Sequence, residues 1–270
     1  VASAANPYLE LTEAFNRERR LALVSSGQAV VLHRIAVMSK DGDWVLREDE
    51  DAVHHVLEVL AHRGARYRFG APLDVRWLAG GWSAHFEHWR DGLRLRTDFV
   101  TRPPRLSADA LARLWEESDA SGSEVVAVEP LVLMKMTMRE KDYAVIGELA
   151  RLLTSPRLQL LFSRSSHDLI RLARDHPDAL AAAVVRRPLL ARVGEGREAL
   201  DEALDRERRA LMRADEARLA RYRAAAEAWA EAWPEVSREI AGLALPNAHR
   251  IVVARADGVL PHTLPSERRE

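Results

Sequence analysis

The chain has 270 residues and a mass of 30.4 kDa, enough for two domains of ordinary size. Hydrophobic residues at 47%, charged residues at 30% and a mean hydropathy of −0.25 describe a globular protein with a real core, and exclude wholesale disorder, a fibre or a membrane-spanning chain. Forty basic against forty-one acidic side chains leave a formal charge of −1, so no global field draws the protein to nucleic acid or an anionic membrane, and the lack of cysteine removes disulfides, thiolate catalysis and Cys-bound metals.

Residues 1–10 have neither a basic start nor an apolar run, and a cytoplasmic location with no membrane partner is expected. The first 155 residues mix strand-like and helix-like segments. A helix is expected over 9–20 and a short buried strand over 21–25. Ser25-Ser26-Gly27 marks a turn, and 28–34 reads as a helix opening right after it. A second strand fits 43–46. Over 49–63, Val53, Val56, Leu57 and Leu60 have the spacing of an amphipathic helix. Strands follow over 66–69, 83–89 and 94–100, divided by Gly80-Gly81 and by Asp91-Gly92, the latter a hairpin signal. A helix over 108–117, a short strand over 124–129, a helix opened by Pro130 and another over 142–153 complete this part.

Beyond Pro156 the pattern is almost wholly helical, with short helices over 157–163, 166–175 and 178–186 and a long one over 195–233. Trp229 and Trp233 lie four apart on one face of that helix and read as core residues. A strand is expected over 250–254 in a loose tail. The expected organisation is an α+β (α/β) domain over 1–155, an all-helical domain over 156–246 and a tail over 247–270.

Thirty-seven of the forty basic residues are arginine, and the three lysines are Lys40, Lys135 and Lys141. A GC-rich genome explains the ratio but not the places. Lys40 stands directly before Asp41-Gly42-Asp43, two acids at i and i+2 that would share one strand face and could hold a hard cation such as Mg²⁺. The same Asp41-Gly42 pair also fits a two-residue hairpin turn, and the residues alone leave both readings open. Upstream, the Ser26-Gly27 turn opens a helix whose free N–H groups could receive a phosphate. Downstream, Asp98 sits on a strand between Thr97 and Phe99 and is a third candidate metal ligand. Lys135, Arg139 and Asp142 recur at helical spacing, giving a charged face to an otherwise apolar helix that a solvated surface explains equally well. His85, Glu87 and His88 form a further cluster, with too few ligands on one face for a zinc site.

The order of these pieces resembles the DNA polymerase β-type nucleotidyltransferase superfamily. That order is a glycine/serine turn opening a helix, a D-x-D pair entering a strand, a third acid on a later strand, and Lys135 followed by Arg139-Glu140-Lys141-Asp142. It is most similar to the minimal and abortive-infection nucleotidyltransferases of bacterial toxin–antitoxin systems. The resemblance spans about residues 9–155. It implies a mixed β-sheet flanked by helices, followed by a helical domain. It further implies that Ser26 and Gly27 hold a nucleoside triphosphate and that Asp41, Asp43 and Asp98 bind two Mg²⁺ ions. Lys40, Lys135, Arg139 and Lys141 would contact the nucleotide, and Asp142 would take the family's last acidic position. The acceptor would be a hydroxyl of tRNA, a protein or a small molecule, and an antitoxin would be a partner. Three departures stand out: Ser26-Gly27 replaces Gly-Gly or Gly-Ser, Gly42 replaces a bulky aliphatic, and no arginine shortly precedes the acids. The alternative from another class is a non-catalytic nucleotide- or partner-binding module on the same fold. A metal-dependent hydrolase built on His85, Glu87 and His88 is a third reading.

Overall fold

The computed structural model describes residues 6–137 and 139–264. They form two compact units, one made of Val1–Val126 with Ala220–Glu270 and the other of Ala127–Leu219. These bounds do not coincide with the expected segments ending at 155 and 246. The sheet-bearing unit is closed by the last part of the chain, which no local pattern announces.

In the first unit, α1 (Pro7–Phe15) starts on Asn6, whose side chain accepts the Tyr8 N–H at 3.0 Å. It stops at Asn16, short of the expected 20, because the Asn16 side chain turns to the next strand. Its Oδ1 accepts the Leu21 and Ala22 N–H groups at 2.8 and 2.9 Å, and its Nδ2 donates to the Ala22 carbonyl at 2.9 Å. There follow β1 (Ala22–Ser25), α2 (Ser26–Leu32), β2 (Asp41–Leu46), α3 (Glu50–His62), β3 (Arg66–Tyr67), α4 (Val75–Leu78), β4 (Ala84–Arg90), β5 (Leu93–Val100) and α5 (Ala108–Ser121). The sheet order is β1-β2-β5-β4-β3, with β2 and β5 parallel and the other pairs antiparallel, so the mixed sheet of an α+β fold is present as expected. Asp91 and Gly92 turn β4 into β5 with φ of 49° and 77°, the two positive values that a tight hairpin demands.

Two further segments depart from expectation. The strand anticipated over 124–129 shrinks to a bridge between Val125 and Val24, because the chain enters a helix at Val128. The strand anticipated over 250–254 is inside α13 (Leu245–Ala256), where Leu245, Ala248, Val252 and Ala256 are buried at helical spacing. That periodicity outweighs the β-branched run Ile251-Val252-Val253.

One face of the sheet is the core of this unit. Trp44, Phe86 and Phe99 are fully buried there with Phe15 of α1 and Leu60 of α3. Trp44 and Phe99 stack at 5.4 Å, and Phe15 meets both edge-on. Three indole N–H groups tie distant segments together. Trp77 donates to the Leu260 carbonyl at 3.1 Å, Trp82 to that of Pro261 at 2.7 Å and Trp229 to that of Gly70 at 2.9 Å. Trp229 belongs to α12 (Glu227–Glu239), which a break at Ala226 separates from α11 (Arg197–Ala225) where one long helix was expected. Its burial agrees with the core role read from the sequence.

The second unit is helical. It contains α6 (Val128–Met134), α7 (Glu140–Leu152), α8 (Pro156–Phe162), α9 (Ser166–Asp175), α10 (Pro177–Val184), a 3₁₀ stretch over Pro188–Glu195 and α11 up to Leu219. Leu160, Leu169, Leu172, Ala183, Leu190, Leu200 and Leu204 fill its core. No helix among the described residues is long and apolar enough to cross a membrane.

Candidate active site

The period of a strand is two, so the face opposite the aromatic core carries every second residue of β2, β4 and β5. On β2 these are Asp41 and Asp43, with Gly42 and Trp44 turned into the core. Asp41 and Gly42 are paired with Arg96 and Thr97 of β5, so they belong to the strand and the hairpin-turn reading is excluded. The register sets Asp43 beside Asp98, and Asp98 beside His85 of β4. Three acids from two strands therefore occupy one sheet face.

Gly42 has a packing cause. A Cβ there would lie 2.5 Å from both Trp44 Cη2 and Tyr8 Cδ1, so the rings over this strand occupy the room that a bulky aliphatic would need. Tyr8 reaches the same place from α1 and donates its hydroxyl proton to the Lys40 carbonyl at 2.8 Å. Burial pushes the pKa of this phenol up, and the charges of Asp41, Asp43 and Asp98 push it further, against the backbone hydrogen bond from Arg96.

The turn after β1 adjoins these acids. Ser25, the last residue of β1, pairs with Asp43, and Ser26 takes a φ of 49° as the chain turns into α2. Gly27 is approached so closely by Ser39 that a Cβ would lie 2.2 Å from its Oγ. Gln28 Nε2 donates to the Ser39 carbonyl at 3.1 Å, and Ser39 Oγ donates to the Asp41 carbonyl at 3.2 Å. Lys40 is exposed at the head of β2.

Two arginines, Arg68 and Arg96, offset the acids. Asp98 Oδ1 lies 3.3 Å from Arg68 NH1 and 2.7 Å from His85 Nδ1, the latter out of line for a hydrogen bond. His85 Nε2 in turn meets Ser83 Oγ at 2.9 Å. Arg96 NH1 stands 3.8 Å from Asp41 Oδ1, and that oxygen is buried without a hydrogen-bond partner. An orphaned buried carboxylate oxygen is the acceptor that a hard cation would satisfy, and the donor set is all carboxylate, so these residues fit Mg²⁺ in kind. Among the described residues, however, no three His, Asp or Glu side chains are already gathered into a metal-holding group, and Asp98 is ion-paired with Arg68.

The remaining predicted residues belong to the helical unit. The expected continuous charged helix is interrupted, since α6 ends at Met134 and α7 begins at Glu140. Lys135 is buried, not on a solvated face, with its Nζ 3.5 Å from Asp142 Oδ1. Asp142 also accepts from Thr137 Oγ1 at 2.5 Å and from Arg139 Nε at 2.7 Å, so it organises the turn between the helices. Lys141 is exposed.

The histidine cluster divides. His85 and Glu87 share the acidic face, but His88 is buried on the core side, where burial and the nearby Arg63 and Arg90 hold its pKa below 6.5. The hydrolase reading loses its third ligand. Sequence reasoning missed Tyr8, Arg68, Arg96 and Ser39. Strand parity could have flagged Arg96, which alternates with Asp98, whereas the other three come from elements that no local signal links to the acids.

No family model matches the chain, and no curated protein does. Among solved structures it is similar to a candidate nucleotidyltransferase from H. pylori at 10% identity, over 80% of this chain and 98% of that one, with a TM-score of 0.36. A likeness of that size carries no functional weight, which rests on the residues of the acidic face.

Proposed function

We propose that the chain is a metal-dependent nucleotidyltransferase of the DNA polymerase β type, transferring a nucleoside monophosphate from an NTP to a hydroxyl acceptor. The observation that supports this most is the parallel pairing of Asp43 with Asp98, with Asp41 on the same face and the Ser26-Gly27 turn alongside. Asp41, Asp43 and Asp98 would hold Mg²⁺, which when bound supplies Lewis-acid polarisation of phosphoryl oxygens. The turn at the head of α2 offers backbone N–H groups to the triphosphate. Arg96 and Lys40 lie beside Asp41, where they would neutralise phosphate charge. The acceptor oxygen forms its bond to the α-phosphorus as the bond to the leaving pyrophosphate breaks, and the acceptor proton passes to Asp98. Arg68, which donates from NH1 to Asp98 Oδ1 at 3.3 Å, would hold that carboxylate in place. Lys135, Arg139, Lys141 and Asp142 complete the motif set by resemblance. A place among toxins of toxin–antitoxin systems, with tRNA or protein as acceptor, is the finer form of the proposal.

One observation favours a second reading, a nucleotide-binding module without catalysis: Asp98 is already ion-paired with Arg68. The deciding experiment incubates the protein with each labelled NTP and Mg²⁺, first with total cellular RNA and then with protein extract, beside Asp43→Ala. Label transferred by the parent and lost in the variant supports the transferase. NTP binding without transfer to any acceptor supports the module.

A further inference from the structure

We propose that Trp89 is the stacking platform of a subsite for single-stranded nucleic acid, a site that rests on the transferase reading of the acidic face and fixes the side on which its acceptor lies. Six of the seven tryptophans are buried or packed against the core, whereas Trp89 is 51% exposed. Strand parity sets its direction. Ala84, Phe86 and His88 of β4 are buried, and His85, Glu87 and Trp89 alternate with them on the face that carries Asp41, Asp43 and Asp98. The register orders that face in three rows. Trp89 pairs with Arg94 in the first, Glu87 with Arg96 and Arg96 with Asp41 in the second, and His85 with Asp98 and Asp98 with Asp43 in the third. Each row is two residues of strand, so Trp89 stands about 13 Å from the Asp43–Asp98 row. That is the length of about four stacked nucleotides, or fewer extended ones.

Sheet order separates the two substrates. The Ser26-Gly27 turn follows β1, on one side of the acids, and β4 lies on the other side, beyond β5. A triphosphate held at the turn leaves the β4 side to the acceptor. Arg94 meets the indole with its Cζ 5.9 Å from the ring centroid and is itself held by Glu87, so the open half of Trp89 is free to receive a base. A surplus of positive charge is not what recognises the strand, because Arg68, Arg94 and Arg96 each face a carboxylate. Arg66, exposed on β3 and in register with Glu87, forms no ion pair with a described residue and can meet a phosphate. Recognition therefore comes from stacking, which every base supports and which tolerates any sequence. A peptide offers no such run of flat rings, which favours nucleic acid as the occupant.

The test measures binding apart from transfer. Fluorescently labelled hexamers of RNA and of DNA are titrated with the full chain in Mg²⁺ without NTP and read by anisotropy, for the parent, Trp89→Ala, Trp89→Phe and Leu93→Ala. Leu93 is the control, 66% exposed at the start of β5 with the parity of buried Leu95 and hence off the acidic face. Loss of one stacked base predicts that Trp89→Ala binds about tenfold or more weakly, with Trp89→Phe closer to the parent and Leu93→Ala unchanged. Tighter binding of RNA assigns a contact to the 2′-hydroxyl, and equal binding of RNA and DNA assigns stacking alone; both support the platform. No binding by the parent, or equal binding by the parent and a folded Trp89→Ala, overturns it. Label transferred to RNA by the parent and by Trp89→Ala with equal KM refutes the platform and leaves the transferase standing. Hexamers bound through Trp89 with no transfer to any acceptor refute the transferase and leave the platform standing.

Discussion

On one face of the β2–β5 pair, Trp44 and Phe99 stack at 5.4 Å and are closed off from water. One residue away along the same strands, Asp41, Asp43 and Asp98 stand on the other face with Arg68, Arg96 and His85 around them. The same backbone thus carries stability on one side and chemistry on the other. Each side has a cost set by the other: the core takes the space over Gly42, and the acids are tolerated because cations stand beside them.

The largest test of that division is Trp44→Ala, expected to cost about 3–5 kcal/mol in denaturant unfolding by emptying the centre of the core. It also removes the bond from Trp44 Nε1 to Thr12 Oγ1 at 2.9 Å. Gly42→Val comes next, since it forces a side chain into Trp44 and Tyr8; about 1–3 kcal/mol of destabilisation is expected, with the acids unaltered. A Gly42→Val protein as stable as the parent would break the division of labour between the faces. Tyr8→Phe loses one hydrogen bond to the Lys40 carbonyl and should cost about 1 kcal/mol in the same measurement. Asp43→Asn should alter stability by less than about 1 kcal/mol, since it relieves repulsion on the acidic face, yet abolish label transfer. The gentlest test is acidification. His88 and His249 are kept neutral chiefly by burial, with folded pKa values below the ordinary 6.5. The unfolded chain therefore takes up protons first, and stability present above pH 6.5 declines as pH falls below it. Thermal melts of His88→Leu should show a shallower decline.

Much of the acidic face was legible. Alternation fixed the strands around Asp98, and the i, i+2 spacing of Asp41 and Asp43 placed them on one side. What local pattern could not decide was whether Asp41-Gly42 turns or extends, because the deciding partner is β5, far along the chain. Lys135 and Asp142 misled for a related reason. Their spacing suits a helix, but a buried ion pair across a turn produces the same interval. In 250–254 the β-branched run masked a helical face whose other members, Leu245 and Ala248, lie outside it. Tyr8 and Arg68 were invisible because their roles arise from packing between elements.

The three indole bonds to Leu260, Pro261 and Gly70 also constrain the order in which the molecule can be made. A ribosome releases the sheet strands first and the residues that seal their core last, with the whole helical unit in between. Until the chain is made through Pro261, the indole N–H groups of Trp77 and Trp82 lack their carbonyl partners. The core of the sheet is therefore expected to close only after the helical unit has been synthesised. Released chains truncated after residue 219 should accordingly be protected from protease over 127–219 and cleaved within the strands, whereas the full chain is protected in both.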